Sequence, residues 1–226
     1  DGDTPERDSY EQSLILGRLK KAVREINPGI PIDSQNEAIK ALQRISSPEI
    51  LANNETFHRF MTEGIPVSRQ MEGNERGDRV WLIDFNHPEA NEFIVTNQYT
   101  IIENGHNKRP DIILFVNGIP LVVIELKNAT DENATVHAAY KQIETYKAMV
   151  PGLFTFNAFN IISDGLEAKA GSLSAEYSRY MAWKSSDGLA EASHLVSQLE
   201  TLIHGMLNKQ TLIDLVRHFI VFQTSK

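Results

Sequence analysis

Cysteine, long apolar runs and an excess of positive charge are all absent from this 226-residue sequence, and each absence excludes a class of protein. Without cysteine the chain can form no disulfide, no thiolate nucleophile and no zinc–thiolate site. No apolar run reaches the length of about 18 residues that a membrane span needs, and the first residues do not form a signal peptide. These absences fit a cytoplasmic protein that has no membrane association.

Positive charge is scarce: 22 Lys and Arg residues are outnumbered by 30 Asp and Glu residues, which leaves a net charge of −8. DNA affinity comes mostly from Lys and Arg side chains that neutralise phosphates, so this balance argues against a chain that holds nucleic acid by itself. Any DNA contact would have to come from a local patch, from metal ions or from other domains. With 41% hydrophobic and 23% charged residues, the composition is that of an ordinary globular protein.

Helical periodicity dominates both ends of the chain, and strand patterns occupy the middle. The predicted helices cover 10–26, 33–45, 48–63, 135–149 and two segments of 191–222 divided near Asn208. The predicted strands cover 65–71, 79–85, 93–103, 111–116, 119–127 and 159–163, with a partner for the last at 166–170. Because the runs 112–116 and 121–124 are apolar at every position, we expect them in the middle of a sheet covered on both faces. This order predicts an α/β core with helices before and after it.

Three charged residues interrupt the two apolar strands at their neighbouring ends. Asp111 stands at the entrance of the first strand, directly after Pro110, and Glu125 and Lys127 stand at the exit of the second. A buried carboxylate is costly unless it is paired or binds a metal. Because the two strands are joined by a tight turn, these groups converge at one edge of the sheet, and their convergence predicts a site.

The turn between the two strands decides whether the carboxylates share a face. A plain two-residue turn at Asn117-Gly118 would place Asp111 opposite Ile124 and turn it away from Glu125. A three-residue loop, 116–118 with its glycine left-handed, would make Glu125 a diagonal neighbour of Asp111 on one face, at roughly 7–8 Å. The sequence therefore predicts the three-residue loop, and a plain two-residue hairpin would count against a shared site.

The chemistry follows from the residue types. Two carboxylates and a few waters are hard oxygen ligands that suit Mg²⁺. Such an ion polarises a phosphodiester oxygen and lowers the pKa of a bound water. Lys127 could orient that water and stabilise the added negative charge, and whether it acts as a base stays open. An isolated E-x-K occurs by chance and on an exposed edge would be a solvated pair; the full pattern of PD, strand, tight turn and a buried strand ending in ELK is far more specific.

This pattern resembles that of the PD-(D/E)xK nuclease superfamily. The two stretches 109–118 (RPDIILFVNG) and 120–128 (PLVVIELKN) resemble the restriction subunit of type I restriction-modification enzymes. Four further segments share that resemblance: 131–135 (DENAT), 142–147 (QIETYK), 162–165 (ISDG) and 171–173 (GSL). The resemblance extends over nearly the whole chain.

The resemblance implies a restriction-endonuclease-like fold, which is a mixed sheet core flanked by helices. It implies three parts: a helical N-terminal segment (1–64), the endonuclease core (65–190) and a helical segment (191–226) leading to an ATP-dependent motor. The pattern GxxxxGK[ST] does not occur in the sequence, so ATP binding would belong to a motor outside this chain. We expect a fragment with a trimmed N-terminus, because the further helix that carries a glutamate in the family has no counterpart here.

The resemblance also assigns roles to individual residues. Asp111 and Glu125 would bind Mg²⁺ with help from the backbone carbonyl of Leu126, and Lys127 would be catalytic.

A Q-x-x-x-Y motif, here Gln142 and Tyr146, would contact DNA or position the site, since residues four apart share one face of a helix. On physical grounds alone, Tyr146 could equally be a core residue and Gln142 its satisfied neighbour.

The implied function is Mg²⁺-dependent endonucleolytic cleavage of double-stranded DNA, coupled in the full protein to ATP-driven translocation. The implied partners are DNA and the methyltransferase and specificity subunits of the type I complex, of which the specificity subunit reads the DNA sequence. One alternative is a module that docks the motor onto the methyltransferase core and whose nuclease site is secondary or inactive. Another is a different superfamily member, such as an exonuclease or a junction resolvase.

A small basic group precedes Asp111. Lys108 and Arg109, together with His106, are candidates for contacts to DNA phosphates, and Lys141 and Lys147 on the following helix could extend that patch. A solvated loop and a solvated helix face are the alternatives.

Overall fold

The structure is a computed structural model that describes residues 6–71, 74–128 and 135–223. The helices are α1 (Leu16–Ile26), α2 (Ile32–Gln43), α3 (Ile50–Glu63), α4 (Val136–Met149), α5 (Pro151–Phe154), α6 (Gln198–Gly205) and α7 (Lys209–His218). The strands are β1 (Ile65–Met71), β2 (Asn74–Val80), β3 (Phe93–Asn97), β4 (Ile101–Glu103), β5 (His106–Lys108), β6 (Ile112–Val116), β7 (Ile119–Leu126), β8 (Phe159–Ser163) and β9 (Ala168–Ser172). No helix among the described residues is long and apolar enough to span a membrane.

The main sheet has five strands in the order β3-β6-β7-β8-β9. All neighbours are antiparallel except β7 and β8, which run parallel and are joined by the α4 and α5 crossover. Two short ribbons, β1-β2 and β4-β5, lie outside this sheet. The fold is therefore a mixed sheet flanked by helices, as the sequence predicts, and it is consistent with a restriction-endonuclease-like domain.

Both faces of β6 and β7 are buried, which confirms the prediction made from their unbroken apolar runs. One face packs against the helices that precede and follow the sheet, α1 to α3, α6 and α7. The other face, which carries Ile113, Phe115 and Val123, packs against α4 and α5. The helical segments at both ends of the chain thus share an apolar core with the sheet, while the division of the chain at residues 64 and 190 stays a prediction.

The α4 face is where the charged residues lie. Side chains alternate along a strand, so Glu125 points to the same side as Val123, toward α4. The helix begins at the N-cap Thr135, whose hydroxyl accepts a hydrogen bond from the N–H of Ala138 at 3.2 Å. Residues 131–134, which carry the rest of the DENAT segment, lie outside the described residues.

Two predicted strands and one predicted loop are wrong in detail. The partner of β1 is 74–80 and not 79–85, because the pairing extends to Met71 opposite Asn74 and so takes in part of the segment predicted as a polar loop. The predicted strand 93–103 is split, because Gln98 adopts a left-handed conformation (φ 53°) that ends β3. The predicted loop 104–109 contains β5, which pairs with β4 across a turn with positive φ at Asn104 and Gly105.

The predicted three-residue loop between β6 and β7 is also wrong. Val116 pairs with Ile119, so the turn is the two-residue Asn117-Gly118, and both residues have positive φ (53° and 79°), as a type I′ turn requires. Asn117 is 1% exposed and its amide nitrogen donates to the Leu82 carbonyl at 2.9 Å, while Glu92 N–H donates to its side-chain oxygen at 2.8 Å. These contacts to the chain before β3 hold the tighter turn.

A bulge in β7 then changes the register. Phe115 pairs with Pro120, but Leu114 pairs with Val122, so Leu121 is the extra residue. The carbonyl of Leu121 accepts the N–H of Ala158 at 2.7 Å. Proline cannot donate to a ladder and is confined to bulges within central strands, so Pro120 stands where such an irregularity is tolerated.

Candidate active site

The bulge sets the register that leads to the two carboxylates. Beyond it Ile112 pairs with Ile124. Continued by one residue, this register would set Asp111 opposite Glu125, and the charge of Asp111 does act on the Glu125 carboxyl, whose pKa it raises. Residues directly opposite in an antiparallel pair project from the same face, with Cβ atoms roughly 4.5–5.5 Å apart. In that register the plain hairpin does not separate the carboxylates, because the bulge restores the shared face that the three-residue loop was expected to provide.

Asp111 is half-buried, and each of its carboxylate oxygens accepts one hydrogen bond. The N–H of Leu126 donates to Oδ2 at 2.9 Å, and the side-chain amide of Gln98 donates to Oδ1 at 2.9 Å. Both donors are neutral, and each carboxylate oxygen has a lone pair left for a cation.

Glu125 is 3% exposed, and its two oxygens have different surroundings. The Lys127 ammonium donates to Oε1 at 2.7 Å. Oε2 is buried and has no partner with hydrogen-bond geometry among the described residues. Burial raises the pKa of Glu125, and the charge of Asp111 raises it further, while the contacts with the Lys127 ammonium and the Tyr146 hydroxyl lower it. The carboxylate thus sits where an additional positive charge would stabilise its ionised form.

Lys127 contacts the buried Glu125 carboxylate and is itself partly exposed to solvent. Its backbone N–H donates to the Ser163 carbonyl at 2.8 Å, so the main chain stays attached to the edge of β8 after β7 ends. Its side chain is 25% exposed, and the ammonium reaches back to the buried Glu125. A cation held in this way lies between a buried carboxylate and any substrate arriving from the solvent.

Helix α4 carries both residues of the Q-x-x-x-Y motif, and it places Tyr146 beside Glu125 and Gln142 beside the Tyr146 hydroxyl. Tyr146 is buried, and the predicted stripe of Ala139, Ile143 and Val150 is buried with it. Burial raises the pKa of the Tyr146 hydroxyl, the charge of Glu125 raises it further, and the Gln142 amide lowers it. Tyr146 is therefore a core residue whose hydroxyl lies close to the Glu125 carboxyl, and its role in positioning the site or contacting DNA stays a prediction.

The basic residues lie around this edge of the sheet. Lys108 is half-buried at the end of β5 and Arg109 is exposed, as is His106. Neither Lys108 nor Arg109 takes part in the contacts described for Asp111 and Glu125, and their role toward DNA stays a prediction.

The two lysines of α4 differ. Lys141 is exposed. Lys147 is mostly buried, and its ammonium donates to Glu144 and to the Leu173 carbonyl, both at 2.6 Å. These contacts engage Lys147 within the protein, so it does not extend a basic patch into solvent.

Gln98 is a residue of the site that the sequence does not reveal. It stands after a strand that pairs with β6, at the position opposite Asp111, and its backbone N–H donates to the Asp111 carbonyl at 2.9 Å. A lone glutamine after a strand has no distinguishing pattern. Only the register between β3 and β6 brings it to the carboxylate.

The donor set fits a small divalent cation. Among the described residues no group of three or more His, Cys, Asp and Glu side chains converges. The candidate ligands at this site are therefore the carboxylates of Asp111 and Glu125 and the backbone carbonyl of Leu126. Magnesium commonly keeps several waters and binds through one or two carboxylates. The buried, unpartnered Oε2 of Glu125 is an acceptor that such an ion would satisfy.

Comparison with known proteins gives a consistent result. The family described as the N terminus of the type I restriction enzyme R protein matches residues 1–179. The type I restriction enzyme HindI endonuclease subunit of Haemophilus influenzae is 37% identical over 213 residues, which are 93% of this chain and 20% of that protein. A Methanocaldococcus jannaschii protein, provisionally named as the endonuclease subunit of the type I restriction enzyme MjaIXP, is 28% identical over 240 residues, covering 98% of this chain and 23% of that protein. The chain spans about a fifth of the length of these relatives.

Proposed function

This chain belongs to the family of type I restriction enzyme R protein N termini, and we propose from this premise that it is the endonuclease domain of such an enzyme. The proposed reaction is Mg²⁺-dependent hydrolysis of phosphodiester bonds in double-stranded DNA. Its proposed site consists of Asp111, Glu125 and Lys127, with the backbone carbonyl of Leu126 as a further metal ligand.

One observation carries this proposal. The charge of Asp111 acts on the Glu125 carboxyl, and Glu125 presents a buried oxygen with no described hydrogen-bond partner while its other oxygen accepts from Lys127 at 2.7 Å. A buried carboxylate without a full set of partners is costly for a fold, and a bound cation offsets that cost. A purely structural ion pair would need only one acidic residue and one lysine.

Each residue of the proposed site would have a separate role in the hydrolysis. When bound, Mg²⁺ would polarise a phosphate oxygen and lower the pKa of a water ligand. Asp111 and Glu125 would hold the ion, and the two neutral donors on Asp111 would fix the orientation of its carboxylate. Lys127 would stabilise the negative charge that develops on the phosphate and orient the attacking water. Tyr146 and Gln142 would hold Glu125 in place or contact the DNA.

The other activities of the complete enzyme would depend on parts outside this chain. We propose that cleavage is coupled to ATP-driven translocation by a motor domain, and that methyltransferase and specificity subunits are the partners in a cytoplasmic complex. The relatives named as endonuclease subunits and the family match support this assignment. The net charge of −8 agrees with a domain that receives DNA from its partners and does not capture it alone.

A plasmid cleavage assay of the complete restriction enzyme tests the proposal. We expect Asp111→Ala, Glu125→Gln and Lys127→Met each to reduce cleavage by about 10²–10³-fold or more, as loss of a group that stabilises a transition state does. ATP hydrolysis should continue at the wild-type rate, since it belongs to the motor. Glu37→Gln, on the exposed face of α2, is the matched control and should cut normally.

The assay also has a clear negative result. Cleavage at the wild-type rate by Asp111→Ala or Glu125→Gln would contradict the assignment of the site. If the docking alternative were correct, the substitutions would leave cleavage intact, and the chain would bind the methyltransferase core tightly.

A further inference from the structure

The carboxylate of Asp111 is oriented by a residue from a third strand. Asp111 and Glu125 come from β6 and β7, whereas Gln98 directly follows β3 on the other side of β6. Gln98 donates twice to Asp111, from its backbone N–H to the carbonyl oxygen and from its side-chain amide to Oδ1, both at 2.9 Å. These two hydrogen bonds therefore hold both the backbone and the side-chain carboxylate of Asp111.

The second oxygen of Asp111 is held from the opposite side. The N–H of Leu126, between Glu125 and Lys127, donates to Oδ2 at 2.9 Å. A carboxylate with one donor on each oxygen cannot rotate without breaking a hydrogen bond, so its remaining lone pairs keep a constant direction relative to Glu125. Gln98 and Leu126 thus share the task of orienting Asp111, but only the contribution of Gln98 comes from a side chain.

The backbone of Gln98 shows that this contact requires an unusual conformation. Its φ is +53°, in the left-handed region, which glycine and asparagine adopt far more readily than glutamine. The chain leaves the strand at this residue and still keeps the pairing to Asp111. A shorter side chain with a better left-handed propensity would relieve the backbone but would withdraw the amide from Oδ1.

We propose that Gln98 is a positioning residue for the metal site, acting through Asp111. This inference rests on the proposed function, because it takes Asp111 as a ligand of the cation. Hydrogen-bond partners of metal-ligating side chains fix the direction of the ligand, and their removal typically costs 10–100-fold in metal affinity or activity. Because Gln98 is exposed, we expect an effect near the lower end of that range.

Titration of the chain with Mn²⁺, followed by electron paramagnetic resonance of the free ion, tests this role. Gln98→Met keeps the size of the side chain but removes the donor, and we expect its dissociation constant for Mn²⁺ to rise by about 10-fold. Gln98→Asn suits the left-handed backbone, and we expect a similar loss of affinity with an unchanged or higher melting temperature. Gln210→Met, at an exposed position of α7, is the matched control and should bind as the wild type does.

Asp111→Ala is titrated in parallel. It separates a failure of the positioning role of Gln98 from a failure of the proposed metal site. If Asp111→Ala loses Mn²⁺ binding and Gln98→Met keeps wild-type affinity, the positioning role is wrong and the proposed site stands. Wild-type affinity in Gln98→Asn would also overturn the role, because the backbone turn alone would then suffice. If Asp111→Ala itself binds as tightly as the wild type, the proposed function fails.

Discussion

At the scale of single residues, Glu125 shows best what the sequence predicts and what it does not. The two-residue spacing to Lys127 predicts that both side chains lie on one face, and the structure places them 2.7 Å apart. The partners of Asp111 were beyond prediction, because the Gln98 amide and the Leu126 N–H reach it only through the register of three strands. The pattern within one segment shows which face of a strand each side chain occupies. Hydrogen bonds between segments depend on how the strands are aligned, which that pattern does not show.

The raised pKa of Glu125 gives a prediction about stability without metal. Between its ordinary pKa of 4.5 and the raised value, the folded chain holds a proton on this carboxyl that the unfolded chain has lost. Stability therefore falls as pH rises through this window, by about 1.4 kcal/mol per pH unit at most. Glu125→Gln lacks this proton exchange, so its melting temperature relative to wild type should increase with pH and then level off.

Thermal unfolding in the presence of a chelator, from about pH 4 to pH 8, measures this difference. Added Mg²⁺ should stabilise the wild type but not Glu125→Gln, because the ion favours the ionised carboxyl. A difference in melting temperature that stays constant with pH would show that Glu125 titrates normally.

At the scale of elements, the β6–β7 hairpin has a different turn from the one that the sequence predicts. The sequence predicts a shared face for Asp111 and Glu125, but by way of a three-residue loop at Gly118. The structure has a two-residue turn and a bulge at Leu121. The signal for that bulge was Pro120, since proline in a central strand marks an irregularity.

Helix boundaries depend on contacts from other segments. The periodic pattern from residue 10 predicts a helix, but α1 begins only at Leu16, because the N–H of Ile15 donates to the Gly118 carbonyl at 2.9 Å. The preceding segment runs along β4 instead, where Ile102 donates to the Tyr10 carbonyl at 2.9 Å. Periodicity identifies the apolar face of a helix, while a tertiary hydrogen bond can decide where the helix starts.

The contact between α1 and the hairpin turn gives a prediction about Gly118. It has a φ of +79°, and a Cβ added there would lie 2.6 Å from the Ile15 carbonyl oxygen and 3.0 Å from the Leu19 nitrogen. We expect Gly118→Ala to destabilise the chain by about 2–4 kcal/mol, which combines left-handed strain with overpacking against a helix backbone.

Gly105 provides the matched control for this substitution. Its φ is +78°, and an added Cβ would have nothing within 4 Å. Urea unfolding of Gly105→Ala should therefore show only the strain of the left-handed conformation, about 1–2 kcal/mol. Equal losses in the free energy of unfolding of the two variants would mean that contact with α1 adds no overpacking at Gly118.

At the scale of the whole molecule, the sequence predicts the fold class because the apolar patterns are strong. The unbroken runs of β6 and β7 indicate a sheet covered on both faces, and the periodic segments at the two ends provide the helices that cover one of them. The short ribbons were harder to predict, since the polar strands β2 and β5 are defined by backbone pairing and have no apolar alternation. The candidate site lies at the end of β7, within the part of the sheet that the sequence predicts well.

Joint binding of a divalent cation by Asp111 and Glu125 is tested most directly by anomalous diffraction from crystals of the chain soaked in Mn²⁺. We expect one strong peak bonded to a carboxylate oxygen of each residue, with Oε2 of Glu125 among the ligands, and its loss in Glu125→Gln crystals soaked alongside. A peak bound elsewhere, or none between these carboxylates at a Mn²⁺ concentration that supports DNA cleavage by the complete enzyme, would contradict it.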